Sequence, residues 1–459
     1  MKFKFTDISG SIVAPRGFVA SGVFCDIKRL GTGKGSNKGP KRDLALIVSQ
    51  VPATVAGMFT TNQICAAPVK VCAERVKHGV ARAVVVNSGN ANACTSQQGM
   101  AHAREMTALV AAQFGLKEKH VLVGSTGRIG VLMPMAQVRR GIVAASRLVN
   151  SIGASAGHVA EAIMTSDTHP KQVAIEFKLG GKTVRIGGVC KGAGMIQPGM
   201  SATGARPAAR ALHATMLCFI TTDAAIESKA LQACLETAVA QSFNRITVDG
   251  DMSTNDTVLV LANGLAENPH LVAADVRRLH STKSVEASGP RLLRDVEVFQ
   301  AALNHVCLEL AQKIVRDGEG VTRFVTVRVH GARHVADADA AARAVANSSL
   351  VKTSWFGGDP NWGRIIDALG YSPAKIVEEK VDIGYSAPGS QQILWSLKRG
   401  QPTKATFKQL CAAAAPKEFD LHINLNLGNA SALMYAADLT EEYVEFNKGD
   451  VTDPTTLGG

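Results

Sequence analysis

The stretch HATMLCFITTDAA, residues 213–225, decides how the chain is read. Its centre, MLCFITT (216–222), is apolar at successive positions, so both faces of the segment want burial. That pattern predicts a strand in the middle of a packed sheet. A loop entering such a strand needs no particular chemistry at its mouth. Here the loop ends in an Ala-Thr bond, Ala214-Thr215, and is preceded by the glycine-rich run CKGAGMIQPGM (190–200). Thr215 is either an ordinary strand-edge threonine or a residue meant to become a chain terminus.

Outward from this strand, short apolar runs alternate with helical patterns. ARAVVVNSG (81–89) reads as a buried strand ending at Asn87. AHAREMTALVAAQFG (101–115) reads as a helix with Met106, Leu109, Val110 and Phe114 on one face, and Gly115 suits its stop. TVLVLANG (257–264) is a second strand apolar on both faces. FVTVRVHGA (324–332) and LHINLNLG (421–428) alternate apolar and polar residues as half-buried strands do, with a helix expected over 338–351 between them. The polar segment 267–292 reads as an insertion or connection, and the last residues as a tail. The class is mixed α/β, with no internal repeat.

Composition bounds the function. Of 459 residues, 46% are hydrophobic and 19% charged, enough for two or three packed domains. No apolar run approaches the ~18 residues needed to span a membrane, and the first residues lack a secretory core. A cytoplasmic location is the default expectation, with mitochondria as the alternative. The nine cysteines are scattered, without a C-x-x-C pair, and predict buried thiols rather than disulfides or zinc. His330 and His334 lack the glutamate of a metalloprotease motif. The net charge of +12 is concentrated partly in KRLGTGKGSNKGPKR (28–42), which matches no phosphate-loop register. It reads as a solvated basic loop; RNA binding is its functional alternative, weakened by the absence of interleaved aromatics.

A threonine hydroxyl is a weak nucleophile without a base. An N-terminal threonine supplies one in its own α-amine, whose ordinary pKa is about 7.7–8.0. Cutting Ala214-Thr215 would create that terminus, and the Thr215 hydroxyl attacking the Ala214 carbonyl can make the cut. Acyl transfer also needs donors facing the developing oxyanion. GSTGRIG (124–130) offers the Thr126 hydroxyl and the Gly127 N–H, unless it is only a strand-end turn. Lys191 ends an apolar strand and Glu319 lies in IVRDGEGVTRF, where each either serves a site or faces water.

These segments carry a resemblance. KGAGMIQPGM (191–200) followed by ATMLCFITTDAA (214–225) is similar to the self-cleavage region of the ArgJ family, the ornithine acetyltransferases (glutamate N-acetyltransferases). VVNSGNANACTSQQG (85–99), GSTGRIG, EAIMTSDTHPK (161–171), SFNRITVDGDMSTNDTVL (242–259), IVRDGEGVTRFVTV (314–327) and LVKTSWFGGDPNWGRIIDALGYS (350–372) resemble further family blocks, in family order, over nearly the whole chain. The resemblance implies a layered αββα sandwich of the DmpA/ArgJ type with a smaller α+β C-terminal domain, from about residue 295 onward. It implies Thr215 as nucleophile and Thr126 and Gly127 as the oxyanion pair. Thr165, Lys191, Glu319, Asn447 and Thr452 become substrate-contacting residues. Self-cleavage at Ala214-Thr215 would give an α chain, 1–214, and a β chain, 215–459, assembled as α2β2. The implied reaction moves acetyl from N2-acetylornithine to glutamate, with acetyl-CoA as an additional donor in some members and no metal or organic cofactor. A DmpA-type amidase or aminopeptidase is the rival within the same chemistry. An uncleaved RNA-binding chain is the rival outside it.

The chain departs from the pattern at three places. Gly199 stands at the family's Asn position, and thirteen extra residues, 201–213, precede Ala214, among them a second Ala-Thr, Ala202-Thr203. Met252 replaces the usual Thr, and the closing segment FNKGDVTDPTT (446–456) is looser than the family's, with Thr452 keeping its five-residue offset from Asn447.

Overall fold

The computed structural model describes residues 3–28, 41–204, 216–272 and 290–448, with side chains omitted for 290–293. Ala214, Thr215 and Thr452 lie outside the described residues, as do most of the basic loop, most of the insertion before Ala214, residues 273–289 of the polar connection, and the tail.

The strands, in chain order, are β1 (Thr6–Asp7), β2 (Phe18–Val23), β3 (Leu44–Thr60), β4 (Val80–Asn90), β5 (Val121–Arg128), β6 (Lys171–Leu179), β7 (Lys182–Lys191), β8 (Met200–Ser201), β9 (Leu217–Thr222), β10 (Ile246–Thr247), β11 (Thr257–Ala262), β12 (Phe324–Ala332), β13 (Asp382–Ser386), β14 (Leu394–Lys398), β15 (Gln401–Pro402), β16 (Glu418–Asn424) and β17 (Ala430–Ala437). The helices are α1 (Ala67–Val76), α2 (Ser96–Phe114), α3 (Met135–Leu148), α4 (Gly153–Ala162), α5 (Ser228–Gln241), α6 (Pro290–Arg316), α7 (Val335–Asn347), α8 (Ser349–Phe356), α9 (Trp362–Gly370), α10 (Phe407–Ala414) and α11 (Glu441–Asn447).

Strand β3 is the spine. Its first half pairs with β2 and β4, and β4 pairs parallel with β5. Its second half pairs with β11, and from there the ladder runs through β9, β7 and β6 to β1. The register shifts between Val48 and Ala53, where the long strand passes from one layer to the other. The two layers face each other: a Cβ placed on Gly124 of β5 would lie 3.1 Å from the Phe219 ring of β9.

The expectation for MLCFITT holds for a specific reason. Leu217 and Phe219 pack in the core shared with β4 and β5, while Cys218 and Ile220 pack in a second core with α5 and α6. All six residues of β9 are buried. Helices α1 to α4 cover the outside of the first layer, and α5 and α6 that of the second, giving the αββα order.

A separate seven-stranded sheet, β10-β17-β12-β16-β13-β14-β15, carries α7, α8 and α9 on one face and forms the C-terminal core. The alternation of FVTVRVHGA is explained there: Val325, Val327 and Val329 are buried in that core, while Arg328 turns outward to pair with Asp420. Some boundaries differ from the pattern reading. Strand β4 runs on to Asn90, because Asn87, Ser88 and Gly89 keep pairing with β5. Helix α2 begins at Ser96, through polar residues that carry no periodic signal. The helix expected over 338–351 is two, parted at Ser348, whose hydroxyl accepts the Val351 N–H and caps α8. All nine cysteines are free.

Candidate active site

Three strand ends meet at one edge of the second layer. Leu217, the first residue of β9, pairs with Lys191, the last of β7, on one side and with Thr257, the first of β11, on the other. Position 215 is therefore two residues upstream of this row in the chain.

Lys191 crosses from this layer to the other. Its Nζ donates to Thr165 Oγ1 at 2.7 Å and lies 3.4 Å from Thr126 Oγ1, at the end of β5. Lys191 and Thr126 are buried, at 3% and 1% exposure, so the lysine is not the solvated strand-end residue that its position alone allowed. Gly127 follows at φ 128°, where a Cβ would sit 2.3 Å from the Gly89 carbonyl carbon. Only glycine fits that backbone.

Buried acids set the electrostatics. Asp167 Oδ1 accepts from Lys171 Nζ at 2.7 Å and from the Gly192 N–H at 2.6 Å, and its Oδ2 lies 3.7 Å from Lys191 Nζ. Burial alone would raise the Asp167 carboxyl, but the two ammonium groups and the Gly192 N–H outweigh it and hold it well below the usual carboxylate range. For Lys191, burial is the largest influence and lowers its pKa; Asp167 opposes it, with smaller help from Glu319 and Asp256. Asp317 accepts from Lys171 Nζ and from the backbone N–H groups of Thr168 and His169. It thereby ties the Thr165 segment to the loop that carries Glu319.

Glu319 stands between α6 and β12. Its N–H donates to the Ala193 carbonyl at 2.9 Å, and its carboxylate lies against Gly194, where a Cβ would come within 2.4 Å of it. Asn447, at the end of α11, donates from Nδ2 to Glu319 Oε2 at 2.9 Å. At the start of β9, the Met216 N–H donates to Asp256 Oδ1 at 2.5 Å. Asp256 is fully buried, and burial pushes its carboxyl well above the ordinary value.

Two groups thus assemble: Lys191 with Thr126 and Thr165, and Glu319 with Asn447. The loop Gly192–Met195 joins them. Asp167 and Asp256 were missed by motif reading. Their signal was present in EAIMTSDTHPK and DMSTNDTVL, where acids sit inside otherwise apolar or small-residue segments, but only burial distinguishes them from surface acids. The His330 ring stacks on His422 with centroids 6.2 Å apart, and His334 precedes α7. Asp7, His305 and Glu309 converge within 4.8 Å, but His305 and Glu309 lie 3.6 Å apart along one helix and Glu309 also pairs with Lys313 at 2.7 Å.

The family model of the ArgJ family matches residues 21–450. The chain belongs to the ArgJ family. Its relatives include the arginine biosynthesis bifunctional protein ArgJ of Symbiobacterium thermophilum, 43% identical over 96% of this chain and 98% of that protein. The glutamate N-acetyltransferase of Methanocaldococcus jannaschii is 42% identical over 96% of this chain and 98% of its own length. Among solved structures, the ornithine acetyltransferase of Mycobacterium tuberculosis complexed with ornithine is 34% identical, with a TM-score of 0.39, covering 43% of this chain and 100% of that one. ArgJ membership makes the chain an acyltransferase by family. No helix among the described residues is long and apolar enough to cross a membrane.

Proposed function

We propose that this ArgJ-family chain moves the acetyl group of N2-acetylornithine to glutamate, in arginine biosynthesis, through an acetyl ester on Thr215. The precursor first cuts itself at Ala214-Thr215. The Thr215 hydroxyl attacks the Ala214 carbonyl, the ester that forms is hydrolysed, and the freed α-amine becomes the base.

In the transfer, Thr215 Oγ1 bonds to the acetyl carbon while the α-amine takes the hydroxyl proton. Thr126 and Gly127 receive the oxyanion. The C–N bond breaks, ornithine leaves with the proton, and the glutamate amine then takes the acetyl group by the reverse steps. Lys191 faces a substrate carboxylate or the developing charge. Glu319, steadied by Asn447, receives the ornithine side-chain ammonium, and Thr165 and Thr452 complete the substrate contacts. The mature form is two copies each of pieces with 214 and 245 residues.

The observation that carries this reading is the buried Lys191, bridging to the Thr126 turn from the row of strand ends just downstream of residue 215. The test is direct. Purified protein is given N2-acetylornithine and glutamate, and ornithine and N-acetylglutamate are measured as both concentrations vary. Equal formation of the two products and parallel double-reciprocal lines are expected. Release of acetate at a rate indifferent to glutamate would replace this reading with an amidase.

A further inference from the structure

We propose that Asn255 and Asp256 are positioning residues for the acyl transfer, a two-sided clamp that fixes the oxyanion turn against the strand beginning just after the nucleophile. The inference rests on the acyl-transfer reading of the site and assigns residues that the reaction scheme leaves unused.

The two halves of the site sit in different layers. Thr126 and Gly127 lie near the end of β5 in the first layer; Met216 leads into β9 in the second. β5 and β9 do not pair with each other directly; the sheet connects them only the long way round, through β4, β3 and β11. What lies between them is apolar packing such as Phe219 against Gly124, which is non-directional. Packing of that kind resists separation better than it resists sliding, and acyl transfer is sensitive to displacements of about 1 Å.

Asn255 and Asp256 supply direction. From the second layer, Asn255 Nδ2 donates both hydrogens across to the first, to the Ala91 carbonyl at 2.7 Å and to the Ser125 carbonyl at 2.8 Å. Ser125 immediately precedes Thr126. Asn255 Oδ1 is committed in turn to the Thr254 hydroxyl at 2.6 Å. The next residue, Asp256, takes the Met216 N–H on Oδ1, and Thr257 N–H donates to the Met216 carbonyl at 3.1 Å. The segment is anchored to the spine as well: Thr60 N–H donates to the Asp256 carbonyl at 2.9 Å and Thr60 Oγ1 to the Ser253 carbonyl at 2.8 Å. Both side chains are buried, at 2% and 0% exposure, so water does not replace what either one loses.

The substitutions N255D, N255A, D256A and D256N separate positioning from folding. N255D keeps size and shape but removes the donors that hold the turn. D256N keeps an oxygen that can accept the Met216 N–H, and burial already favours the uncharged form of Asp256. Steady-state kinetics with N2-acetylornithine and glutamate are measured on each variant, with intact mass to follow the cut and thermal unfolding to verify the fold. N255D and N255A are expected to lower kcat by about 10²-fold, the scale of one lost oxyanion donor, with each KM within about threefold of wild type. D256N is expected to recover at least about tenfold of the kcat lost in D256A. A folded N255D with wild-type kcat, a loss carried by KM, or a D256N no better than D256A overturns the clamp. A wild-type protein without acetyl transfer overturns the proposed function instead, so the two failures are distinguishable.

Discussion

Lys191 Nζ donates to Thr165 Oγ1 at 2.7 Å, joining the end of β7 to the loop after α4. The lysine belongs to the second layer and the threonine to the loop after α4, which packs against the first. Lys191→Met removes that bond and the approach to Thr126 while keeping much of the apolar stem. A fall in kcat/KM of about 10²-fold or more is expected, the scale of removing a donor from a buried polar site. Kinetics of the cleaved variant check it; a change below about threefold would place Lys191 outside the reaction.

Thr126 and Gly127 differ in what replacement does. Thr126→Ala deletes one hydroxyl and is expected to cost about 10²–10³ in kcat, leaving measurable turnover. Gly127→Ala forces a Cβ to within 2.3 Å of the Gly89 carbonyl at a φ of 128°, so the turn itself must move. It is expected to be the more damaging of the two, in both turnover and cleavage. Equal or milder effects of Gly127→Ala would show that the turn does not hold the oxyanion.

Thr215→Ala is expected to leave one uncut chain of 48.2 kDa with no acetyl transfer. Intact mass reads this in one measurement. A Thr215→Ala protein that still divides at that bond would move the nucleophile elsewhere, Thr203 being the other threonine preceded by alanine in that segment.

Glu319→Gln keeps the shape of the group that Asn447 holds but removes its charge. The KM for N2-acetylornithine is expected to rise by about tenfold or more, the scale of a lost charge-assisted contact, while the KM for glutamate changes far less. Equal rises for both substrates would argue against an ammonium-binding role.

The Asp167 cluster predicts a pH signature in stability. Its carboxyl is held below the ordinary value in the folded chain, so the unfolded chain binds more protons as pH falls through about 4. The stabilisation from Asp167 is therefore fully present above about pH 4 and is lost as pH falls toward the folded-state value. Denaturant unfolding of wild type and Asp167→Asn should show a gap that is constant near neutrality and narrows below about pH 4. A gap that widens on acidification would reverse the sign of the pairing.

The sequence by itself determined the strands whose side chains are all buried and the residue types able to perform acyl transfer. Those depend on local pattern: β9 and β11 are legible because uninterrupted apolar runs bounded by loops have few other uses. Motif order was enough for the family, and for Thr126, Lys191 and Glu319 as candidates. Only the tertiary structure decided which candidates meet. Lys191 and Thr126 are 65 positions apart, and Glu319 and Asn447 are 128 apart. The first contact exists because β3 passes between layers and brings strand ends from both to one edge; the second because the end of α11 returns to the loop between α6 and β12. Burial was likewise invisible along the chain. Asp167 and Asp256 read as ordinary polar loop residues, and their shifted ionisation comes from the loss of water and the arrival of distant partners, which are properties of the packed fold and not of any stretch of sequence.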